Sequence, residues 1–355
     1  MEFLSPHGPL LNFFLKNNFL SMTILVTGGA GFIGSNFVHY WVAHHPEDRI
    51  IVLDKLTYAG NLRNLESVAN KIRFVKGDIC DHELVFSLVK DVDRIVHFAA
   101  ESHNDRAAMD PESFLRTNIF GTYNLLDAAR QHQIKRFHHV STDEVFGHLP
   151  LDGGSFNEQS LYAPRSIYPA SKAASDHFVR AFYHTHGLPI TISNCSNNYG
   201  PYHFPEKIIP LFICNLREGK KVPVYGDGLY VRDWIHVEDH CRGIEAILLK
   251  GRVGETYCLG GKESEISNLE LTKKLLALTD RDESFIEYVK DRPGHDRRYS
   301  IDYSKAQREL GWEPTIGIDE GLKNTVDWYA NHQAWVDEVR SGAYQDYYEK
   351  QYVTR

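Results

Sequence analysis

A glycine-rich turn directly after a short apolar run constrains the fold of this chain more than any other sequence feature. The run at residues 23–27 leads into Gly28, Gly31 and Gly34, and a helix-compatible segment follows. Glycines at this spacing allow a tight turn, a close approach of backbone to ligand, and close packing of helix on strand. The free N–H groups at the start of such a helix attract phosphate. The segment therefore predicts a strand–turn–helix unit that binds the pyrophosphate of a dinucleotide.

Short β-branched runs alternate with amphipathic segments along the first part of the chain. The runs that fit buried strands cover residues 23–27, 50–54, 72–76, 94–98, 136–141 and 190–194. Segments such as residues 36–44 and 121–132 lie between them and fit helices. Parallel strands need crossover connections, which helices supply on both faces of a sheet. We therefore predict an α/β fold with a Rossmann-type doubly wound parallel sheet.

Asp54 ends the second predicted strand, where an acidic residue selects between two cofactors. A carboxylate there accepts hydrogen bonds from ribose hydroxyls and repels a ribose 2′-phosphate, which favours NAD over NADP. Asp78 and Ile79 follow the third strand and suit the adenine, and residues 99–102 follow the fourth and suit the cofactor's centre. For Asp78 alone, a helix cap is an equally good interpretation.

The pattern changes after Tyr199, where a turn-rich stretch is followed by shorter elements. Residues 222–231 are strand-like around a glycine turn, and residues 268–278 and 320–329 are helical. We predict an NAD-binding domain over residues 22–199, to which residues 237–250 return, and a mainly substrate-binding, mixed α/β lobe over residues 200–355. Residues 1–21 lack the features of a signal peptide or a membrane span, and we expect a flexible or upstream-start extension.

Tyr168 and Lys172 are four residues apart, which places both side chains on one face of a helix. Pro169 lies between them, so that helix has to begin nearby. A phenol with an ordinary pKa of ~10 is a poor base at neutral pH, but a nearby ammonium and a positive nicotinamide ring lower that pKa. The pair can then remove a proton from a sugar hydroxyl while hydride leaves the same carbon. By itself the spacing is weak support, so this prediction depends on the glycine turn upstream.

Thr142, Asp143 and Glu144 follow the predicted strand at residues 136–141. Thr142 can hydrogen-bond a substrate hydroxyl. Two adjacent acids would ordinarily form a solvated loop or a helix cap. At the end of a strand facing the predicted cleft, they suit an acid and a base for the elimination of water.

Charge, cysteine and histidine patterns exclude several classes of function. Lys and Arg total 39 against 47 Asp and Glu, and this net charge of −8 argues against nucleic-acid or anionic-membrane binding. The five cysteines are widely spaced without a CxxC pair, which favours reduced thiols in a cytoplasmic protein. His138 and His139 would point to opposite faces of a strand, so we expect no metal site.

Residues 28–34, 99–103, 141–147 and 168–172 together resemble the extended short-chain dehydrogenase/reductases that act on nucleotide sugars. Within that superfamily, the Thr-Asp-Glu triplet and residues 194–202, 231–239 and 291–296 resemble the dTDP-glucose 4,6-dehydratase family. The resemblance runs from about Met22 to near the C-terminus. The chain departs from the family's usual residues at Asn104, Ala107, Phe146 and Pro169, none of which is a predicted catalytic residue.

The resemblance implies a redox-neutral dehydration of dTDP-glucose. Tyr168, assisted by Lys172 and Thr142, takes the proton of O4 while NAD takes the C4 hydride. Glu144 then removes the C5 proton, and Asp143 protonates the departing C6 hydroxyl. Hydride returns to C6 and a proton goes back to C5, which gives dTDP-4-keto-6-deoxy-glucose and leaves NAD bound.

The resemblance also implies two sets of binding residues. Cofactor contacts are expected at Gly28, Gly31, Phe32, Ile33, Gly34, Asp54, Lys55, Leu56, Thr57, Asp78, Ile79, Ala99, Ala100, Ser102, Thr117, Tyr168, Lys172 and Asn198. Substrate contacts are expected at Ser102, Thr142, Asn197, Lys207, Pro223, Val224, Tyr225, Arg232, Asn268, Asp291, Arg292, Pro293, Gly294, His295 and Tyr299. Arg232 suits a bidentate phosphate contact, although a surface ion pair is the more common role of a single arginine.

Other interpretations remain open from the sequence. The chain could act on a CDP, GDP or UDP sugar, or be an epimerase or decarboxylase, although an epimerase has no leaving hydroxyl for Asp143 to protonate. A non-catalytic NAD sensor should tend to lose Tyr168 or Lys172, and both are present. Apolar faces at residues 121–132 and 173–186 could pair across a two-fold axis, as in the family's dimer, or pack within one subunit. We expect a homodimer.

Overall fold

A computed structural model of the chain describes residues 21–262, 265–291 and 295–341. The strands are β1 (Thr23–Thr27), β2 (Arg49–Asp54), β3 (Ile72–Lys76), β4 (Arg94–His97), β5 (Arg136–Thr142), β6 (Ile190–Cys195), β7 (Asn197–Tyr199), β8 (Val222–Tyr225), β9 (Val231–Arg232), β10 (Trp234–His236), β11 (Thr256–Leu259), β12 (Ile266–Ser267) and β13 (Ile286–Val289). The α-helices are α1 (Phe32–His44), α2 (His82–Val89), α3 (Asn104–Met109), α4 (Pro111–Phe114), α5 (Thr122–Gln131), α6 (Ile167–His186), α7 (Ile208–Arg217), α8 (Val237–Lys250), α9 (Asn268–Leu278), α10 (Ser304–Leu310), α11 (Ile318–Asn331) and α12 (Gln333–Val339). A π-helical segment, Leu115–Gly121, joins α4 to α5, and 3₁₀ turns cover Leu62–Lys71, Asp143–Phe146 and Glu283–Phe285.

The main sheet has seven parallel strands in the order β11-β6-β5-β4-β1-β2-β3. Strand β1 lies between β2 and β4, with Leu25 opposite both Ile51 and Ile95. The strand order reverses at β1, which opens a crevice at the carboxyl ends of these strands. The predicted doubly wound sheet is therefore confirmed, and each of the six predicted runs forms a strand.

Helices cover both faces of the sheet, as its continuously apolar strands require. On one face, Val85 of α2, Leu125 of α5 and Val179 of α6 pack in one core. On the other face, Phe37 of α1 and Ile244 of α8 pack in a second core. Strand β11 was not predicted, and it extends the sheet beside β6. Helix α8 and strand β11 thus add two late segments of the chain to the main layer.

Most of the later elements form a smaller lobe over the crevice, whereas α10 packs on α8 and β11. Three two-stranded sheets pair β10 with β7, β12 with β9, and β13 with β8. The predicted strand-like segment at residues 222–231 is two short strands, β8 and β9, with different partners. Gly226 and Gly228 in the turn between them have φ angles of 58° and 74°, which only glycine adopts readily. Helices α7, α9, α11 and α12 supply the core of this lobe.

Candidate active site

A cavity of about 430 Å³ lies between the carboxyl ends of the parallel strands and the smaller lobe. The glycine turn after β1, the end of β5 and the first turns of α6 form one wall. The smaller lobe contributes residues such as Arg232 and Asn268 to the other. The cavity therefore joins the predicted dinucleotide site to the predicted substrate lobe.

Nearly all of the predicted site residues that the structure describes line this cavity. Leu56 does not, because it adopts a positive φ of 57° and its side chain packs against the core around α1. Asp291 does not line it either, and its carboxylate instead contacts His295 and Tyr230. Three further predicted residues, Arg292, Pro293 and Gly294, lie outside the described residues.

The turn between β1 and α1 has no room for a side chain at Gly28, and the first turn of α1 has none at Gly34. A Cβ at Gly28 would lie 2.6 Å from the backbone nitrogen of Ala99, and one at Gly34 would lie 2.2 Å from the carbonyl oxygen of Gly28. Gly31 caps α1 without a side-chain hydrogen bond, and the first turn of α1 carries no acidic residue. The N–H groups at this helix end face the cavity and suit the pyrophosphate of NAD.

We expect Gly34→Ala to weaken NAD binding at least 10-fold, because the added methyl group forces the glycine turn away from α1. The amount of coenzyme that copurifies with the protein, and the affinity for added NAD, measure the effect. Gly317→Ala is the matched control, since its φ is −71° and its Cβ position is open. Equal NAD retention by the two variants would contradict this role of the turn.

Two carboxylates stand where the adenosine half of NAD is expected. Asp54 is buried and accepts the N–H groups of Ala30 at 2.9 Å and Leu56 at 2.8 Å, while burial raises its pKa. Each carboxylate oxygen has a second lone pair for a ribose hydroxyl. Asp78 forms an ion pair with Lys55 at 2.8 Å. The helix-cap interpretation of Asp78 is wrong, because Asp81 caps α2.

The five predicted catalytic residues meet at the junction of β5 and α6. Strand β5 ends at Thr142, and Asp143 and Glu144 begin the 3₁₀ turn that follows. Helix α6 begins at Ile167, which puts Pro169 in the first turn as predicted. The Thr142 hydroxyl hydrogen-bonds the phenol of Tyr168 and accepts the Glu144 N–H at 3.3 Å.

Lys172 follows Tyr168 by about one turn of α6, and its side chain is buried. Its ammonium donates to the Val140 carbonyl oxygen at 2.8 Å and lies 3.3 Å from Nε2 of His139. Burial lowers the pKa of Lys172 to about 8, although the charge of Asp176 opposes this. Lys172 is thus held next to β5 with its charge poorly solvated.

The predicted lowering of the Tyr168 pKa depends on a bound nicotinamide ring as well as on the Lys172 ammonium, and the chain by itself acts in the opposite direction. Burial raises the pKa of this phenol, and the charge of Glu144 raises it further. The hydrogen bond with Thr142 acts in the opposite direction but does not outweigh burial. A positive group on the substrate side is therefore needed to make Tyr168 a useful base, and a nicotinamide ring is such a group.

Asp143 and Glu144 differ in environment although they are adjacent in the chain. Asp143 is 1% exposed, and burial, followed by the charge of Glu144, raises its pKa well above the ordinary value. Its Oδ2 has no hydrogen-bond partner among the described residues. A buried carboxyl with a raised pKa beside a more exposed carboxyl is an arrangement that can separate the roles of acid and base.

The substrate side of the cavity contains buried polar groups. Arg232 is 6% exposed, which rules out the surface ion-pair interpretation, and its guanidinium lies 4.4 Å from the Tyr299 ring centroid. Buried polar atoms of Ser196, Asn197 and Trp234 lack hydrogen-bond partners within the described ranges. Because unpartnered buried groups are costly, they indicate a polar ligand in the cavity.

Sequence reasoning missed a cluster where the two lobes meet. Glu206 is buried and accepts from Nε of Arg106 at 3.0 Å, and the Arg106 guanidinium lies 3.7 Å from the Tyr58 ring centroid. Both Tyr58 and Glu206 line the cavity. No local spacing signals this cluster, since its members lie in three distant segments of the chain.

Other predictions concern cysteines, histidines and membranes. All five cysteines are unpaired. His138 contacts Thr191 and Ser193 while His139 faces Lys172, so the two rings do point to opposite sides of β5. The described residues contain no group of three or more His, Cys, Asp or Glu placed to hold a metal ion. Among those residues no helix is long and apolar enough to cross a membrane.

Comparisons with known proteins agree with this geometry. A family model described as GDP-mannose 4,6 dehydratase matches residues 25–325. A dTDP-glucose 4,6-dehydratase of Xanthomonas campestris pv. campestris is 52% identical over 344 residues, which is 91% of this chain and 97% of that protein. One from Escherichia coli is 48% identical over 363 residues, with 94% and 100% of the two chains covered.

Solved structures are similar along most of the chain. DesIV, the dTDP-glucose 4,6-dehydratase from Streptomyces venezuelae crystallised with NAD, superposes with a TM-score of 0.87 at 49% identity, covering 90% of this chain and 100% of that one. A UDP-glucose 4-epimerase from Thermotoga maritima, crystallised with UDP-glucose, superposes with a TM-score of 0.82 at 30% identity and covers 88% of this chain and 100% of that one.

Proposed function

Because the chain belongs to the dTDP-glucose 4,6-dehydratase family, we propose that it converts dTDP-glucose to dTDP-4-keto-6-deoxy-glucose as an NAD-dependent hydro-lyase. One observation carries this proposal beyond the likeness. Asp143, whose pKa burial raises well above the ordinary value, and Glu144 share a cavity wall with Tyr168. An enzyme that only inverts or oxidises C4 has no use for this second acid and base, whereas dehydration needs both.

The residues divide the chemistry into two parts. The chemistry that bound NAD supplies is the removal of hydrogen with its electron pair from C4 and its return to C6. Tyr168 accepts the O4 proton, with Lys172 behind it and Thr142 on its hydroxyl. The ketone at C4 acidifies the C5 proton, which Glu144 removes. Asp143 gives its proton to the C6 hydroxyl, so that water leaves. As hydride returns to C6, a proton goes back to C5, which completes the 4-keto-6-deoxy sugar.

The residues that line the cavity fall into a cofactor side and a substrate side. The glycine turn would hold the pyrophosphate of NAD, Asp54 and Asp78 would hold its adenosine half, and Tyr168 would face its nicotinamide. The diphosphate of the substrate lies near Arg232 and Lys207, and its base and ribose near Tyr225 and His295. The support is that these side chains line one continuous cavity.

We also propose a division of the chain into two domains. Residues 22–199 and the returning segment at residues 237–250 form the NAD-binding domain, and most of the chain from residue 200 onward forms the substrate lobe. Strand β11 pairs with β6 and therefore belongs with the first domain. The support is the sheet order together with the separate core of α7, α9 and α11.

The direct test incubates the purified protein with dTDP-glucose and no added coenzyme. We expect the 4-keto-6-deoxy sugar to form without net accumulation of reduced coenzyme. Parallel incubations with UDP-, GDP- and CDP-glucose establish which nucleotide is accepted. Faster turnover of one of these would reassign the nucleotide, and no product from any of them would overturn the proposed function.

A second copy of this chain is the proposed partner. Leu115, Phe120, Tyr123 and Phe178 are 42–54% exposed on neighbouring parts of the π-helical segment, α5 and α6. Burying such large apolar side chains is favourable, and two-fold pairing of helices is a common solution.

We expect Phe178→Glu to convert a dimer to a monomer, because it places a charge in that interface. Light scattering after gel filtration measures the mass. Val253→Glu, which changes a similarly exposed residue outside these helices, should leave the mass unchanged. A wild-type protein that already runs as a monomer would contradict this assembly.

A further inference from the structure

Three segments distant in the chain meet at the carboxylate of Glu144. Asn104 is the first residue of α3, Ser166 is the N-cap of α6, and Glu144 lies in the 3₁₀ turn after β5. Nδ2 of Asn104 donates to Oε2 of Glu144 at 2.9 Å. The Ser166 hydroxyl donates to Oδ1 of Asn104, also at 2.9 Å. Asn104 and Glu144 both line the cavity.

The chemistry of the groups fixes the direction of this chain of hydrogen bonds. An ionised carboxylate only accepts, so Asn104 has to present its NH₂ group to Glu144. The amide oxygen then faces Ser166, whose hydroxyl can donate to it. The opposite amide orientation would place two oxygens against each other, which makes the assignment unambiguous.

Ser166 does not perform the usual task of a serine at the start of a helix. A serine N-cap ordinarily accepts a hydrogen bond from a backbone N–H in the first turn. The Ser166 side chain makes no such bond, because its hydroxyl is directed to Asn104. Capping of α6 therefore does not explain this side chain.

No other side chain in the described ranges donates a hydrogen bond to the Glu144 carboxylate. The charge of Glu144 acts on Asp143, Tyr168 and Tyr299, and the cation of Arg232 also acts on Asp143 and Tyr299. Without Asn104, the Glu144 side chain could adopt several rotamers, and its carboxylate would not be held in one position at the cavity wall. A base held in one geometry reacts faster than one that has to find it.

We propose that Asn104, itself held by Ser166, is the positioning residue for Glu144 and acts on proton removal from C5 but not on oxidation at C4. This inference rests on the proposed function, in which Glu144 is the C5 base. It goes beyond that function because it assigns the Asn104–Ser166 pair to the elimination half of the reaction alone.

The test uses a substrate analogue that separates the two halves. dTDP-6-deoxy-glucose can be oxidised at C4 but has no C6 hydroxyl to lose, so in D₂O the base step appears as exchange of deuterium into C5. Reduction of the bound coenzyme, followed by its absorbance, reports C4 oxidation in the same sample. Asn104→Leu removes the amide at nearly constant shape, Ser166→Ala removes the second hydroxyl, and Ser166→Thr retains it.

We expect Asn104→Leu to slow C5 exchange about 10-fold and Ser166→Ala about 3-fold, with coenzyme reduction within about 2-fold of wild type. Ser166→Thr should exchange at close to the wild-type rate. A disturbance of folding would lower both signals together, and that outcome would overturn the proposal. Unchanged exchange in Asn104→Leu and Ser166→Ala would also overturn it. If the wild-type protein neither reduces its coenzyme nor exchanges C5, the proposed function itself fails.

Discussion

Tyr168→Phe should lower turnover of dTDP-glucose by about 10³-fold, because it removes the group that accepts the O4 proton. The ring remains, so its edge-on contact with Phe114, at a centroid distance of 6.4 Å, is preserved. The hydrogen bond from Thr142 loses its partner, but no charge is left unpaired. Steady-state formation of the 4-keto-6-deoxy sugar measures the loss.

The reaction step at which each variant is blocked is more informative than the size of the loss in turnover. With Tyr168→Phe, the bound coenzyme should stay oxidised on mixing with substrate, because the first step fails. With Glu144→Gln, coenzyme reduction should proceed and product should not form, because only the C5 base is lost. Tyr123→Phe alters an exposed tyrosine outside the cavity and should leave both steps unchanged. Rapid coenzyme reduction by Tyr168→Phe would remove that phenol from the mechanism.

Below pH 6.5 the protein should lose stability steeply, because it buries several neutral histidines. Burial lowers the pKa of each histidine in this set: to about 4 for His139 and His236, to about 3 for His203 and His240, and well below 6.5 for His97 and His138. Each of these groups takes up a proton near pH 6.5 in the unfolded chain but only at much lower pH in the folded chain. Their contribution to stability is therefore complete above pH 6.5 and is lost as the pH falls toward 4.

The expected change in the free energy of unfolding is large compared with the stability of a typical protein. Each buried neutral histidine lowers the free energy of unfolding by about 1.4 kcal/mol for each pH unit in this window. Six of them acting together change the free energy of unfolding by about 8 kcal/mol for each pH unit, which is comparable to the roughly 5–15 kcal/mol of a typical folded protein. Urea unfolding between pH 7.5 and 5 measures this dependence.

His138→Gln provides the control for this prediction. His138 is fully buried between Thr191 and Ser193 and does not line the cavity. The variant should be less stable at pH 7.5, but its stability should fall less steeply with acid, since one fewer proton is taken up on unfolding. A free energy of unfolding that stays constant between pH 7 and 5 would show that these rings are protonated or solvated in the folded protein.

Features that depend on neighbouring residues could be predicted from the sequence. The turn at Gly28 requires a positive φ and close contacts, and that requirement is visible as glycine. The short, bounded apolar runs predicted the positions of the buried strands to within a residue or two. Tyr168 and Lys172 lie on one face of α6 because four residues make about one helical turn.

Contacts between distant segments could not be read in the same way. Strand β11 is short and apolar, and nothing in its own residues says that it pairs with β6. Asn104 lies 40 residues before Glu144, and only the packing of α3 against the start of α6 brings the two together. Leu56 stands among predicted cofactor residues, but its backbone conformation turns it toward the core.

By itself, the sequence determined which local units form and which chemical groups the chain can bring to a site, because backbone sterics and side-chain periodicity act over a few residues. Only the tertiary structure decided what those groups can do. Burial raises the pKa of Asp143 well above its ordinary value and raises that of Tyr168, whose predicted lowering depends on a bound nicotinamide ring. The ionisation of a group depends on how much water and charge surround it, and that environment exists only once distant segments have packed together.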